Sequence, residues 1–323
     1  MTVEPRPRVP ARLAAMLAMS ALALAACTGA NASDGLADDF APGQVQSRSV
    51  DIGGGRELFL ECMGEGAPTV ILESGIHDSS EYWTVSQLLT PAVGPPVMQA
   101  LAETNRVCRY DRPGTVVPGE PRAITDRSTP APMPRTAGDS VADLHALLQA
   151  AEVPGPYVIV AHSWGGMIGQ LYARTHPEEV AGLVLVDAFA PALRDLLADK
   201  WETYTEVVND PPGETLNAQE DYEKYDIDAS VDQVLEAPRL PDIPLVVMSK
   251  TAPFPDFPSD AGMTTADLEA VWPVAQETLV DLLPNTPHQI ATGSIHYIQV
   301  TEPDLVTSAA RLVMSRAAGT TDG

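Results

Sequence analysis

The sequence predicts a mostly parallel α/β fold, because short apolar runs alternate with helical patterns along most of its 323 residues. Several of these runs are continuously apolar, as strands that are buried on both faces of a sheet must be. The expected strands are residues 56–62, 68–72, 106–110, 157–161, 182–186, 245–248 and 290–292. Helical patterns, in which apolar residues recur every three or four positions, cover residues 139–151, 165–175 and 303–316.

Two glycine-rich segments near the start of this pattern are interpreted as tight turns. Gly53-Gly54-Gly55 lacks a following helix, so it predicts a hairpin turn rather than a phosphate-binding loop. Gly64-Glu65-Gly66 separates the first two expected strands and also predicts a hairpin-like connection.

Composition and charge exclude several classes of protein. A hydrophobic fraction of 45% is typical of a globular chain. Because 44 acidic residues oppose 19 Lys and Arg, giving a net charge of −25, a nucleic acid would meet a repelling surface and is not an expected partner. No apolar run reaches the roughly 18 residues of a membrane span, which argues against a polytopic membrane protein.

The first 26 residues are typical of a signal peptide. Arg6, Arg8 and Arg12 precede an apolar stretch over residues 13–26 that is too short to span a membrane. We therefore expect the protein to be exported.

The end of this stretch suggests how the exported protein is attached to the membrane. Leu24-Ala25-Ala26-Cys27 resembles the lipobox of bacterial lipoproteins, in which the cysteine becomes the lipidated first residue. The expected location is then the outer face of the cell membrane, with a lipid anchor at Cys27 and a flexible tether over residues 27–45. The alternative is a secreted protein that is cleaved after Ala30-Asn31-Ala32.

Residues 190–240 interrupt the alternation of strands and helices. This segment carries 13 Asp and Glu against four Lys and Arg, with helical spacing and no buried-strand run. We interpret it as a helical insertion.

The strongest chemical signal lies around Ser163. Ala161-His162-Ser163-Trp164-Gly165 follows an apolar strand and precedes a helix, which is the context of a G-x-S-x-G nucleophile elbow. Ala161 replaces the first glycine, which adds one methyl group. The helix after Ser163 directs its N-terminal amides at the reaction centre, where they favour a developing oxyanion.

Four motifs, which follow one another along the chain in the order found in the α/β-hydrolase family, make residues 46–318 resemble that family. Besides the elbow, they are residues 73–83 (ESGIHDSSEYW) after the third strand, 110–114 (YDRPG) after the fourth, and 294–299 (SIHYIQ) followed by 302–303 (EP). The resemblance implies a mostly parallel sheet of eight strands with helices on both faces. It also implies that residues 190–240 cap the site, and we expect residues 319–323 to form a disordered tail.

A serine nucleophile needs a histidine base, which the family places after the last strand. The resemblance therefore assigns the base to His296. His162 is expected to point away from the site by strand alternation and to be structural, whereas His77 is expected to line the pocket. The remaining histidines, expected at the surface, are His145, His176 and His288.

The third member of the catalytic triad, an acid that orients the histidine, is less directly specified by the sequence. Many family members place it after the seventh strand, but Ala252 occupies that position here. Another branch places it after strand six, and Asp187 ends that strand 24 residues beyond Ser163. We predict that Asp187 is the acid, with Asp256 and then Asp260 as alternatives. If one of these alternatives is the acid, Asp187 only caps the end of the strand.

The resemblance also concerns the cysteines and the oxyanion hole. The family's strand order, 1-2-4-3-5-6-7-8, makes neighbours of the strands that carry Cys62 and Cys108, so it permits a disulfide. Two free buried thiols are the alternative. The expected oxyanion hole consists of the backbone N–H groups of Ile76 and Trp164.

These residues predict an exported serine hydrolase that cleaves a carboxylic ester or related acyl bond of a small molecule through an acyl-enzyme. Dehalogenases and epoxide hydrolases of this family need Asp at the elbow, so Ser163 argues against them. No metal or dinucleotide motif is present, and no cofactor is expected. Alternatives are an aminopeptidase, lactonase, thioesterase or perhydrolase, or a non-catalytic ligand-binding lipoprotein; the sequence does not specify the oligomeric state.

Overall fold

The computed structural model describes residues 45–85, 94–119, 121–257 and 262–320. These residues belong to one compact unit. The signal peptide, the lipidation site Cys27, the tether up to residue 44 and the alternative acid Asp260 lie outside the described residues. None of the described helices is both long and apolar enough to cross a membrane.

A central sheet of eight strands organises the fold. In chain order, the strands are β1 (Gln46–Gly53), β2 (Arg56–Met63), β3 (Thr69–Glu73), β4 (Val107–Tyr110), β5 (Tyr157–His162), β6 (Val180–Val186), β7 (Leu245–Lys250) and β8 (His288–Ala291). Their spatial order is β1-β2-β4-β3-β5-β6-β7-β8, with antiparallel pairing of β2 to β1 and to β4 and parallel pairing elsewhere. This is the predicted fold class and strand order. A separate small ribbon pairs Val116–Val117 with Ala123–Ile124.

Helices cover both faces of the sheet. They are α1 (Val97–Ala102), α2 (Ala137–Ala150), α3 (Gly165–Thr175), α4 (Leu193–Leu197), α5 (Trp201–Asn209), α6 (Ile227–Glu236), α7 (Thr265–Val280), α8 (Ile298–Thr301) and α9 (Pro303–Thr320). One core layer contains Ile71 of β3 together with residues of α2, α3 and α7, and the other contains Val70 and Leu72 with residues of α1 and α9. Because alternate side chains of β3 enter opposite layers, both faces of the strand are buried. Helix α9 continues through residues 319 and 320, which were expected to belong to a disordered tail.

The two glycine-rich segments have different roles. The predicted turn at Gly53-Gly54-Gly55 is confirmed, since β1 and β2 form an antiparallel hairpin. The hairpin predicted at Gly64-Glu65-Gly66 is wrong, because β4 lies between β2 and β3. Gly64 and Gly66 instead allow a close approach to the chain after α1, where an added Cβ would lie 2.4 Å from the carbonyl oxygens of Ala102 and Thr104, respectively.

A disulfide joins β2 to β4. Cys62 and Cys108 are directly opposite one another in the register of these strands, and their Cα atoms are 4.1 Å apart. The disulfide that the resemblance permitted is therefore present in the structure. It ties the antiparallel edge of the sheet to its parallel body.

Residues 190–240 form the three helices α4, α5 and α6, and this fully described range contains no strand. Apolar side chains of the segment, including Leu193, Tyr204 and Val231, are buried in the same core layer as α3. The acidic segment is therefore helical and packs onto the α3 face of the sheet.

Candidate active site

Ser163 lies in a sharp turn between β5 and α3. Its φ of 51° is in the left-handed region, which costs a residue other than glycine about 1–2 kcal/mol. Three main-chain hydrogen bonds hold the turn: Ser163 N–H donates to Val186 O, and Ser163 O accepts from the N–H groups of Gly166 and Phe189. The strained serine backbone is thus anchored to the end of β6 and the start of α3.

Small residues around Ser163 let the elbow pack closely. An added Cβ at Gly165 would lie 2.6 Å from Ser74 O, and one at Gly166 would lie 2.4 Å from the Cβ of Ala188. Ala161, where the motif has glycine, is buried opposite Gly169, whose missing side chain leaves room for the extra methyl group.

A buried carboxylate meets the imidazole of His296. Asp187 follows β6, and its Oδ2 lies 2.6 Å from Nδ1 of His296. Its Oδ1 accepts hydrogen bonds from the Lys250 backbone N–H at 3.1 Å and from the Trp272 indole N–H at 3.0 Å. These contacts orient the carboxylate, and the Nδ1–H···Oδ2 bond leaves Nε2 of His296 as the proton acceptor.

The alternative acid positions do not supply this contact. Asp256 is exposed at the cavity wall and, within the described part of the chain, forms no hydrogen bond with His296. The backbone N–H groups of Thr251 and Ala252 both donate to Ser294 O. The chain after β7 therefore holds the loop that carries His296, rather than supplying its carboxylate. The structure thus places Ser163 and His296 on the wall of one cavity, with the buried Asp187 bonded to His296, whereas Asp256 lines the same cavity without a hydrogen bond to His296.

His162 lies behind His296 and does not line the cavity. Its ring centroid is 4.6 Å from that of His296, and its Nε2 lies 3.0 Å from the His296 carbonyl oxygen. Burial, with a smaller contribution from His296, holds the pKa of His162 well below its ordinary value. A neutral His162 therefore donates Nε2–H to that carbonyl and steadies the main chain of His296.

Two backbone N–H groups border the cavity beside Ser163. An added Cβ at Gly75 would lie 3.2 Å from Cβ of Ser163, so the loop after β3 runs directly against the elbow. Within the described residues, neither the Ile76 nor the Trp164 backbone N–H donates to a protein acceptor. Both residues line the cavity that contains Ser163. These two N–H groups are therefore available as hydrogen-bond donors at the cavity.

A buried ionic cluster behind this loop was not predicted from the sequence. The Arg112 guanidinium donates to Glu73 at 2.6 Å and to Glu223 at 2.7 Å, and also to the carbonyl oxygens of Ser74 and Gly75. Burial, partly offset by Arg112, raises the pKa of Glu73. The cluster fixes the backbone of the loop that presents Ile76.

Glu223 connects the acidic helical segment to the same loop. Its Oε2 accepts the His77 backbone N–H at 2.6 Å, and Nε2 of His77 lies 2.8 Å from Val208 O. His77 also lines the cavity, as expected. Glu223 looks like twelve other acids of its segment in the sequence, so only its burial distinguishes it.

The cavity at Ser163 has a volume of about 390 Å³. Its walls are mainly apolar, with side chains from α5, α7 and the segment after β7: Tyr204, Val207, Val208, Phe254, Phe257, Leu268 and Trp272. A second, polar cavity of about 690 Å³ shares the wall formed by Ile76, His77, Asp78 and Tyr297. The polar side chains that it adds are Tyr82, Arg122, Glu214, Thr215 and Tyr222.

Asp78 lies at the boundary of the two cavities. Burial raises the pKa of Asp78 to about 7, against the opposing effect of Arg112. Its Oδ1 accepts from the Tyr297 hydroxyl at 3.3 Å, and its Oδ2 lies 3.9 Å from Nδ1 of His162. This second acid beside the site was also missed, because the sequence does not reveal how deeply Asp78 is buried.

Comparison with known families agrees with the fold. The model of the alpha/beta hydrolase family matches residues 70–321, which is most of the chain. The protein therefore belongs to the α/β-hydrolase family.

Individual relatives are more distant. The uncharacterized protein YqjL of Bacillus subtilis is 33% identical over 132 residues, covering 41% of this chain and 43% of YqjL. The cis-3-alkyl-4-alkyloxetan-2-one decarboxylase of Shewanella oneidensis is 35% identical over 141 residues, covering 44% of this chain and 38% of the decarboxylase. The matches thus span less than half of these curated relatives. The crystal structure of a thermophilic esterase from Thermogutta terrifontis superposes with a TM-score of 0.55 at 18% identity, covering 84% of this chain and 99% of the esterase.

Proposed function

We propose that this protein is a serine hydrolase that cleaves a carboxylic ester or a related acyl bond through an acyl-enzyme. The observation that carries the proposal is the 2.6 Å contact between His296 Nδ1 and Asp187 Oδ2 at the cavity that also holds Ser163. In this proposal Ser163 is the nucleophile, His296 the base and Asp187 the group that orients the imidazole.

The proposed reaction has two halves. Ser163 Oγ attacks the carbonyl carbon while its proton passes to Nε2 of His296, and the N–H groups of Ile76 and Trp164 stabilise the oxyanion. Collapse of this intermediate breaks the bond to the leaving group, which takes the proton from His296 and departs. Water then attacks the acyl-Ser163 ester in the same manner, which releases the carboxylic acid and restores the serine.

The two cavities suggest the shape of the substrate. The apolar walls around Ser163 suit a hydrocarbon part, and the polar cavity beyond Asp78 and Tyr297 suits a part that forms hydrogen bonds. Arg122 is already paired with Glu214 at 2.8 Å, and the surrounding segment is acidic, which disfavours an anionic group. We therefore infer a neutral ester with one apolar and one polar part.

A cyclic ester is the second candidate substrate. The name of the Shewanella relative specifies an oxetan-2-one, which is a four-membered cyclic ester. Opening such a ring at Ser163 would use the same attack, with the leaving alkoxide remaining attached to the acyl group.

We further propose that the protein is exported and held at the membrane by a lipid on Cys27. The proposal rests on the sequence of the first 27 residues. The Cys62–Cys108 disulfide supports it, because such bonds persist in oxidising compartments outside the cytosol.

A substrate screen tests the proposed activity. Purified protein would be assayed with neutral esters of graded acyl length, with lactones of graded ring size and with aminoacyl anilides, each in parallel with the Ser163→Ala variant. We expect the wild type to hydrolyse esters, and the variant to lose on the order of 10⁶ in kcat, because the nucleophile is removed. Equal rates for the two proteins, or turnover of the anilides alone, would contradict the proposed function.

A further inference from the structure

A second group of chemically active side chains lies away from Ser163. His145 is on α2, His176 directly follows α3, and Glu179 ends the 3-10 turn Pro177–Glu179 that leads into β6. One nitrogen or oxygen atom from each of the three lies within 4.8 Å of the others. Ser163 precedes the first turn of α3 and His176 follows the last of its 11 residues, so about 16 Å of helix separates this cluster from the elbow.

One distance within the cluster is close to that between two ligands of a bound metal ion. His145 Nδ1 and Glu179 Oε2 are 3.3 Å apart. Two ligands of one tetrahedral zinc ion lie roughly 3.4 Å apart, because each Zn–N or Zn–O bond is about 2.1 Å long. The His176 ring stacks on that of His145 with 4.2 Å between centroids, so it must turn out of this stack for a nitrogen to point at the same ion; one of its nitrogens already lies within 4.8 Å of the other two ligand atoms.

Neighbouring groups already orient the carboxylate. The hydroxyl of Tyr172, a buried residue of α3, donates to Glu179 Oε2 at 2.5 Å. Gln149 Nε2 lies 3.4 Å from the other carboxylate oxygen. Carboxylate ligands of metals are commonly held in this way by surrounding hydrogen-bond donors. The three candidate ligands are half-buried, so an ion and a completing water molecule can reach them.

We propose that His145, His176 and Glu179 bind one divalent transition-metal ion of the zinc type, with water completing its coordination. Two imidazoles and a carboxylate suit zinc, whereas calcium and magnesium prefer oxygen ligands throughout. The ligands are 31 and 3 residues apart in the chain and belong to no metal-binding motif, which is why the sequence did not indicate them. The bound ion would link α2 to the end of α3 and the start of β6, and would stabilise the fold without taking part in the reaction at Ser163.

Zinc titration of the full chain, carrying no polyhistidine tag and stripped of metal, tests this proposal. Isothermal titration with zinc chloride should give one ion per chain, and zinc should raise the melting temperature because it binds the folded state. His145→Gln and His176→Gln should each weaken binding at least about tenfold, and Tyr172→Phe should weaken it about tenfold through loss of the orienting hydroxyl.

A matched control is available at His288. Its Nδ1 lies 3.3 Å from Glu277, as His145 does from Glu179, but the described residues form no three-ligand group there. His288→Gln and His296→Gln should therefore keep the affinity of the wild type. Circular dichroism and metal-free melting curves establish that each variant is folded, and the two ligand variants serve as independent tests.

Three results would overturn the proposal. The first is the absence of stoichiometric zinc binding to the wild type, and the second is an unchanged affinity in both folded ligand variants. The third is loss of binding in His296→Gln, which would place the ion at the triad instead.

Discussion

The imidazole Nδ1 of His296 and the carboxylate Oδ2 of Asp187 are 2.6 Å apart, although 109 residues separate them in the chain. Asp187 projects from the end of β6, one strand before β7, after which many family members carry their acid. The indole N–H of Trp272 and the backbone N–H of Lys250 donate to its other oxygen, so three hydrogen bonds together fix the orientation of the carboxylate.

Replacing Asp187 by asparagine should lower kcat by at least about 10³ while leaving the protein folded. The amide keeps the shape of the side chain but no longer favours the Nδ1–H tautomer of His296, and the corresponding change in another triad costs roughly 10⁴. Steady-state kinetics on an ester substrate measures the effect. Asp256→Asn is the control, and it should stay within about tenfold of the wild type. A reversal of these two results would move the acid to the chain after β7.

The contact between Asp187 and His296 was predictable because the sequence patterns that place the two residues are local. The elbow motif, the late histidine motif and the spacing of 24 residues between Ser163 and Asp187 are all visible in the sequence. What surrounds the contact was not predictable. Helix α7 supplies Trp272, yet Pro273 lies inside that helix, and proline ordinarily argues against a helix interior.

The ionic cluster around Arg112 was hidden for a different reason. Charged side chains in a sequence are read as solvated surface groups, and burial is what makes Glu73, Arg112 and Glu223 exceptional. Such burial depends on how the acidic helical segment packs against the loop after β3, which is a long-range property of the fold. The hairpin expected at Gly64–Gly66 was wrong for the same reason, since the pairing partner comes from residues far along the chain.

Reduction of the Cys62–Cys108 disulfide should lower the melting temperature. The bond closes a loop across 46 residues, which in the chain-entropy model stabilises the folded state by about 4 kcal/mol. Thermal unfolding with and without reductant measures the shift. The Cys62→Ala/Cys108→Ala double variant should melt at the temperature of the reduced wild type and be insensitive to reductant. A thiol titration that finds both cysteines free in the unreduced, denatured protein would refute the bond.

Replacing Cys27 by alanine should release the protein from the membrane fraction. The lipid would be attached to the Cys27 sulfur, so alanine removes the anchor but leaves the folded unit unchanged. Fractionation followed by immunoblotting measures the distribution, and Cys27→Ser is a second variant that lacks the thiol. A Cys27→Ala protein that stays with the membrane, or a mature wild type without an acylated N-terminus, would contradict the lipoprotein proposal.

Asp78 should make the stability of the folded protein fall as pH rises between about 4 and 7. Burial raises its pKa to about 7 in the folded state, whereas an unfolded aspartate titrates near 4. Between these values the unfolded chain releases a proton that the folded chain keeps, so increasing pH favours unfolding. Arg112 and Arg122 oppose the rise in pKa and Glu223 adds to it, while the Tyr297 hydroxyl donates to the carboxyl group.

The Asp78→Asn variant isolates this contribution. Its amide is uncharged at every pH, so its melting temperature should fall less than that of the wild type from pH 4 to pH 7. Above pH 7 the difference between the two proteins should become constant. Because Glu73 and the other carboxyl groups are present in both proteins, their contributions largely cancel in the difference. Parallel curves for the two proteins over the whole range would show that folding does not raise the pKa of Asp78.

The most direct test of the acyl-enzyme account is covalent labelling by a fluorophosphonate, followed by mass spectrometry of the digested protein. Such probes react with a serine that a neighbouring histidine activates, so the account predicts one label per chain, located on Ser163. The label should be absent from Ser163→Ala and should form far more slowly in His296→Gln. An unlabelled wild type that is otherwise folded, or a label on another residue, would contradict the account and favour a binding protein on a hydrolase scaffold.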